Sequence, residues 1–128
     1  MSPGSRCAPL RREDIPELSQ FLISGFGVPA DSPYFSPEVL EWKYFDGPGD
    51  RPTHSGESAC SLVSRAGGKI IGHVGMCLRE FIVAGHEAPP VSTMHAIDWL
   101  GSPTHPGTGV TLMLEAFKAT QTQFAVDG

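Results

Sequence analysis

The chain has 128 residues, a formal net charge of -5 at pH 7, and 40% hydrophobic and 18% charged residues. That is the balance of one globular domain, too short for two and too apolar for a disordered chain. The acidic balance disfavours a nonspecific binder of nucleic acid or anionic membrane, which needs a basic face, while leaving room for a local pocket that takes an anionic cofactor. Cys7, Cys60 and Cys77 are odd in number and widely spaced with no CxxC pair, which argues against a disulfide scaffold or a zinc ribbon. No apolar run is long enough to span a bilayer, and the first residues, with Pro3, Gly4 and Pro9, form no signal-peptide core, so the cytoplasm is the expected setting.

Cys7-Ala8-Pro9-Leu10 suits a short edge strand, where a proline is tolerated. Asp14 and Glu17 have the spacing of a capping box, and Ile15, Leu18, Leu22 and Phe26 recur at helical spacing, predicting a helix over about 15–25 that Gly25, Gly27 and Pro29 stop. A second helix is expected from Ser36-Pro37, carrying Val39, Leu40, Trp42, Lys43 and Tyr44, and ending in the loop that runs through Gly56. Residues 59–65 read as a strand, Ala66-Gly67-Gly68 as a turn, and Lys69 to Val83 as one long strand or two joined by a bend. Gly72 and Gly75 mark a bulge or a place of close backbone approach. After a turn at 84–87, Val91 to Leu100 forms another strand. A helix follows, with Val110, Met113, Leu114 and Phe117 as its apolar stripe, and Phe124-Ala125-Val126 reads as the start of a further strand. The order implies one α/β domain over 1–128, with a mixed, largely antiparallel sheet flanked by helices and at least one parallel crossover.

The chemical signal lies between the last strand and its helix, in Gly101-Ser102-Pro103-Thr104-His105-Pro106-Gly107-Thr108-Gly109. Small residues at a strand-to-helix junction leave backbone N–H groups open, and these with the positive helix end attract phosphate. The run is not a full GxGxxG fingerprint, because Leu112 stands where the third glycine would, and it lacks the lysine of a P-loop. The five histidines show no HxH or HExxH spacing, so no metal site is expected. Arg11 and Arg12 read as surface charges and Cys77 as a packed strand residue.

The chain resembles the N-terminal and central portion of the GCN5-related N-acetyltransferase (GNAT) superfamily. The residues that carry the likeness are Leu10-Arg11-Arg12-Glu13-Asp14-Ile15-Pro16, Trp42-Lys43-Tyr44-Phe45-Asp46, Gly68 to Gly75, and Asp98 through Thr111. In that family the glycine loop reads Arg or Gln, Gly, any residue, Gly, any residue, then Gly or Ala. Here the places hold Pro106, Gly107, Thr108, Gly109, Val110 and Thr111. Both internal glycines are kept, Pro106 removes a donor, and Gly101 stands where the family has a branched apolar residue.

The resemblance implies an acyl-CoA N-acyltransferase-like fold whose C-terminal part is absent from 1–128, and transfer of an acetyl group from acetyl-CoA to an amine. It implies that the backbone of Trp99, Leu100 and Gly101 pairs with the pantetheine arm, and that the N–H groups of Gly107, Thr108, Gly109, Val110 and Thr111 hold the pyrophosphate. His95 and Asp98 are the candidate general bases, since both sit near the strand end and imidazole titrates near neutral pH. Simple alternation puts His95, Ile97 and Trp99 on one face and Ala96, Asp98 and Leu100 on the other, unless a bulge intervenes. The expected partners are a small-molecule amine and either a second copy of the chain or a missing C-terminal segment, with neither nucleic acid nor membrane. Two other readings stay open: a noncatalytic domain of the same fold acting in protein interaction, and an unrelated small α/β protein.

Overall fold

The computed structural model describes residues 6–46, 56–81, 84–85 and 91–127. The expected loop at 47–55 with His54, the end of the third strand at 82–83, and His86 and Glu87 of the predicted turn lie outside the described residues.

Strand β1 (Arg6–Arg11) leads through one tight turn into helix α1 (Ile15–Phe26). Pro16 is accommodated in the first turn, and Gly27, at φ 67, closes the helix with its N–H turned back onto Ser24 and Ile23 carbonyls. The predicted capping box does not form. The Asp14 carboxylate instead accepts from the Arg11 N–H at 3.0 Å and pairs with Arg65, while Glu17 accepts from the Ile70 N–H at 2.8 Å. Both carboxylates bind partners that the first turn of α1 does not offer, and they tie the helix start to the sheet.

Helix α2 (Pro37–Glu41) begins as expected, with the Ser36 hydroxyl accepting from the Val39 N–H at 3.3 Å. It runs on into a π-helical turn over Trp42–Asp46. Arg12 holds that turn, bonding Asp46 at 3.1 Å and lying 4.8 Å above the Phe45 ring, and the Ser58 hydroxyl donates to the Tyr44 carbonyl at 2.8 Å.

Strands β2 (Glu57–Ala66), β3 (Lys69–Phe81) and β4 (Val91–Gly101) complete a sheet in the order β1-β2-β3-β4. Gly67 and Gly68, at φ 58 and 80, supply the two left-handed positions that a two-residue hairpin between β2 and β3 requires. Every pairing among the described residues is antiparallel. The parallel crossover expected from a strand at 124–126 is not formed there, because helix α3 (Thr108–Asp127) runs through those residues. Nothing between Val110 and Asp127 is a glycine or proline, so no residue stops the helix.

Helices cover both faces of the sheet. Leu18, Leu22 and Leu40 of α1 and α2 form one core with Leu10, Tyr44, Val63 and Ile70, and Leu112 and Ala116 of α3 form the other with Val74 and Met76. Alternation along β3 therefore sends Gly72, Val74 and Met76 toward α3, and His73 and Gly75 toward α2.

Helix α3 is seated on only part of its apolar stripe, of which Met113 packs against the second core. Val110, Leu114 and Phe117 are about half exposed, while Thr108, Leu112 and Ala116 are buried. Close approach decides this. A carbon added to Gly72 would lie 2.5 Å from Thr108 Cγ2 and 2.7 Å from Leu112 Cδ1, and one added to Gly101 would lie 2.9 Å from the Gly109 nitrogen. Thr108, Gly109 and Leu112 of α3 fit against two glycines of the sheet, and Val110, Leu114 and Phe117 are left outward.

Candidate functional site

Two residues of β4 stand opposite one residue of β3. His73 pairs with Leu100 and Gly75 with Ile97, so Asp98 and Trp99 share the place opposite Val74. This is a β-bulge, and Asp98 carries it in the left-handed region at φ 49. Aspartate is among the few residues with a side chain that tolerate that conformation.

The bulge overturns simple alternation. Ile97 and Leu100 both pack into the α1/α2 core and Asp98 turns to the same side. Trp99 turns to α3, where its indole N–H donates to the Gly109 carbonyl at 2.9 Å. His95, in register with Cys77, lies on the α1/α2 side and is exposed, with the Thr93 hydroxyl 3.3 Å from its Nε2. Neither candidate base shares a face with Trp99.

Asp98 is the meeting point of two side chains from the π-helical turn. Its Oδ2 accepts from Lys43 Nζ at 2.9 Å and from the Tyr44 hydroxyl at 2.5 Å. The wider π turn lets the consecutive residues 43 and 44 reach one carboxylate. Gly75 makes the approach possible, since any side-chain carbon there would collide with the Tyr44 hydroxyl. Burial and the neighbouring carboxylate push the Tyr44 phenol well above its ordinary range, so it remains a donor.

Behind Asp98 sits His73, fully buried and edge-on to the Tyr44 ring at 5.2 Å. Its Nδ1 is 2.8 Å from the Asp98 carbonyl and its Nε2 is 2.7 Å from the Ser61 hydroxyl. A carbonyl only accepts, so Nδ1 carries the proton and Nε2 accepts from Ser61. Burial pulls the His73 pKa down to about 4, leaving the ring neutral near pH 7. Serine and histidine in hydrogen bond have the look of a nucleophile and its base, but both are fully enclosed and no substrate reaches them.

The strand end then meets α3. Ser102 N–H donates to the Ile71 carbonyl at 2.8 Å, and Gly107, at φ 89, turns the chain into the helix. Among the predicted pyrophosphate donors, two N–H groups are engaged within the protein: Thr108 donates to His105 at 3.3 Å and Thr111 to Gly107 at 3.0 Å. Helix geometry leaves the N–H groups of Gly107, Gly109 and Val110 without intrahelical acceptors. A groove of about 320 Å³ runs here, lined by Trp99, Leu100, Gly101, Gly107, Thr108, Gly109 and Val110, and thus by every predicted cofactor residue except Thr111. A second cavity, of about 390 Å³, lies on the α1 side of the same strand end, between Phe21, Gly25, Leu100 and Pro103.

Sequence reasoning missed Lys43, Tyr44 and His73 as members of the site. The available signal was Gly75, whose missing side chain marks the space Tyr44 fills.

Comparison with solved structures decides the architecture. The aminoglycoside N-acetyltransferase AAC(6')-Iy, solved in complex with CoA, superposes with a TM-score of 0.58 at 15% identity, over 96% of this chain and 74% of that one. A GCN5-related N-acetyltransferase from Ralstonia eutropha JMP134 superposes with a TM-score of 0.57 at 20% identity, over 98% and 78%. The fold is that of the GNAT superfamily. A Pyrococcus horikoshii protein described as an acetyltransferase superposes with a TM-score of 0.57 at 10% identity over 92% of this chain, which spans 35% of that longer one. No protein-family model and no curated protein matches the sequence, so the GNAT likeness is carried by the fold.

Proposed function

We propose that the chain is an N-acyltransferase that moves an acetyl group from acetyl-CoA to an amine. The observation that carries this reading is the groove itself, in which a bulged strand end meets the open first turn of α3. The residues present suit the cofactor. A carbon added to Gly107 would meet nothing within 4 Å, and the N–H groups of Gly107, Gly109 and Val110, which have no intrahelical acceptor, together with the helix dipole suit an anion.

Bound acetyl-CoA supplies an activated acyl group as a thioester. The chain holds its pyrophosphate at the α3 turn and its pantetheine arm along the backbone of Trp99 to Gly101. The bulge supplies a backbone donor, the Trp99 N–H, for the thioester carbonyl as negative charge gathers on its oxygen. The acceptor amine attacks the carbonyl carbon as its free base, the N–C bond forms, the C–S bond breaks, and the sulfur leaves as thiol after taking up a proton. His95, exposed on the α1/α2 side of β4, takes the proton that the new amide nitrogen sheds. Asp98 is held by Lys43 and Tyr44, which suits it to fixing the bulge rather than to moving a proton.

Titration calorimetry with acetyl-CoA and with CoA tests the reading, followed by thiol release from acetyl-CoA with a panel of amines. Binding of both ligands is expected, with a tenfold or greater loss on Val110→Glu, which sets a like charge at the anion site. No binding at millimolar cofactor overturns it. Binding without transfer to any amine favours the noncatalytic reading, which the engagement of Asp98 by Lys43 and Tyr44 also supports.

A further inference from the structure

His73 plays no part in the reaction just described, yet it is fully buried and makes two directional hydrogen bonds, one of them to the backbone of the bulge. We propose that His73 is a positioning residue: by holding the Asp98 carbonyl inward, it aims the Trp99 N–H outward into the groove. This rests on the acyltransferase reading.

The geometry follows from the peptide plane. In a trans peptide a carbonyl and the N–H that follows it point in opposite directions. The Asp98 carbonyl points to His73 Nδ1 at 2.8 Å, so the Trp99 N–H points away from the His73 ring and from the α1/α2 face on which it lies. Asp98 and Trp99 share a single ladder position opposite Val74, which frees this peptide from the regular pairing that would otherwise fix it. Lys43 and Tyr44 hold the Asp98 carboxylate and Gly109 holds the Trp99 indole, and His73 is the side chain that binds the carbonyl of the peptide itself.

The arrangement specifies a single tautomer. The Ser61 hydroxyl donates to Nε2, which leaves the proton on Nδ1 for the carbonyl. The low pKa of the buried ring keeps it neutral near pH 7, so the same donor is presented throughout. An apolar side chain at 73 would leave the partly buried Asp98 carbonyl without its partner, and the orientation of the peptide would rest on the Asp98 carboxylate and the Trp99 indole alone.

The test compares the wild-type chain with His73→Asn, His73→Gln and His73→Leu in calorimetric titrations with acetyl-CoA and with CoA. Asparagine keeps an N–H where Nδ1 stands, whereas glutamine carries its N–H where Nε2 stands. Wild type and H73N are expected to prefer acetyl-CoA to CoA. H73Q and H73L are expected to lose that preference by roughly fivefold, the worth of one hydrogen bond, with CoA affinity unchanged. The same preference in all four proteins overturns the positioning role and leaves CoA binding standing. No binding by wild type overturns the acyltransferase reading, and this inference with it. Should H73L fail to fold, the Asn and Gln variants carry the comparison. Nitrogen-15 spectra of the wild-type imidazole give a check that needs no cofactor: a protonated Nδ1 and a bare Nε2 are expected at pH 7, and the opposite tautomer overturns the proposal.

Discussion

Gly75 and Tyr44 are fitted to each other: a side-chain carbon on Gly75 would overlap the Tyr44 hydroxyl and lie 2.9 Å from Ile97 Cγ1. The turn after α2 thereby packs against β3 and reaches the Asp98 carboxylate of β4. Gly75→Ala is expected to destabilise the protein by about 1–3 kcal/mol through overpacking, measured as a shift in urea midpoint with unchanged slope. Tyr44→Phe in the same background relieves the collision at the hydroxyl, so the double variant should lose less than the sum of the two single changes.

The Tyr44 phenol gives a signature at high pH. Its pKa is raised by burial and by Asp98, so folding favours the protonated form. The stability it contributes is complete below the ordinary tyrosine value near 10 and is lost as pH rises above it, because the unfolded chain ionises first. Wild type minus Tyr44→Phe, compared at pH 8 and pH 11 by denaturant titration, should show a stability difference that shrinks at the higher pH. A constant difference would place the phenol in solvent.

His73 acts at the other end of the scale. Its pKa falls from 6.5 to about 4 on folding. Above pH 6.5 both states are neutral and nothing is lost. As pH falls from 6.5 toward 4 the unfolded chain takes up a proton that the folded one refuses, at a cost of up to about 3 kcal/mol. The His73→Asn variant should lack that component of acid sensitivity, so the two stability profiles diverge across this window and run parallel above it.

Gly101 and Gly109 form the hinge between strand and helix. Gly101→Val places a branched side chain where even one carbon would sit 2.9 Å from the Gly109 nitrogen. The first turn of α3 must move, with an expected cost of about 1–3 kcal/mol and loss of cofactor binding by calorimetry.

Most of the scaffold was legible because its signals are local. Ser36-Pro37 starts a helix by capping chemistry, Gly27 ends one by its φ, and Gly67-Gly68 turns a hairpin, each within a few residues. The glycine loop was legible for the same reason, and it lies where the pattern placed it. The site around Asp98 was not. An aspartate at positive φ leaves little trace in sequence, and the register shift it creates depends on β3, some twenty residues earlier. The face of α3 was legible only in part: of the stripe Val110, Met113, Leu114 and Phe117, Met113 packs against the second core, while the other three are about half exposed because Gly72 and Gly101 admit the helix by Thr108, Gly109 and Leu112. Alternation and amphipathicity describe average contacts, and close backbone approach overrides both.

Remove Asp98, and Ile97, Trp99 and Leu100 fall into ordinary alternation on the faces they already occupy, with Trp99 directly opposite Val74. The strand therefore holds one residue more than its fold demands. A chain shortened by that residue is expected to keep its sheet and both cores, and to strand Lys43 and the Tyr44 hydroxyl without their acceptor. Asp98 is thus a residue that the pairing of the two strands does without and that the site depends on.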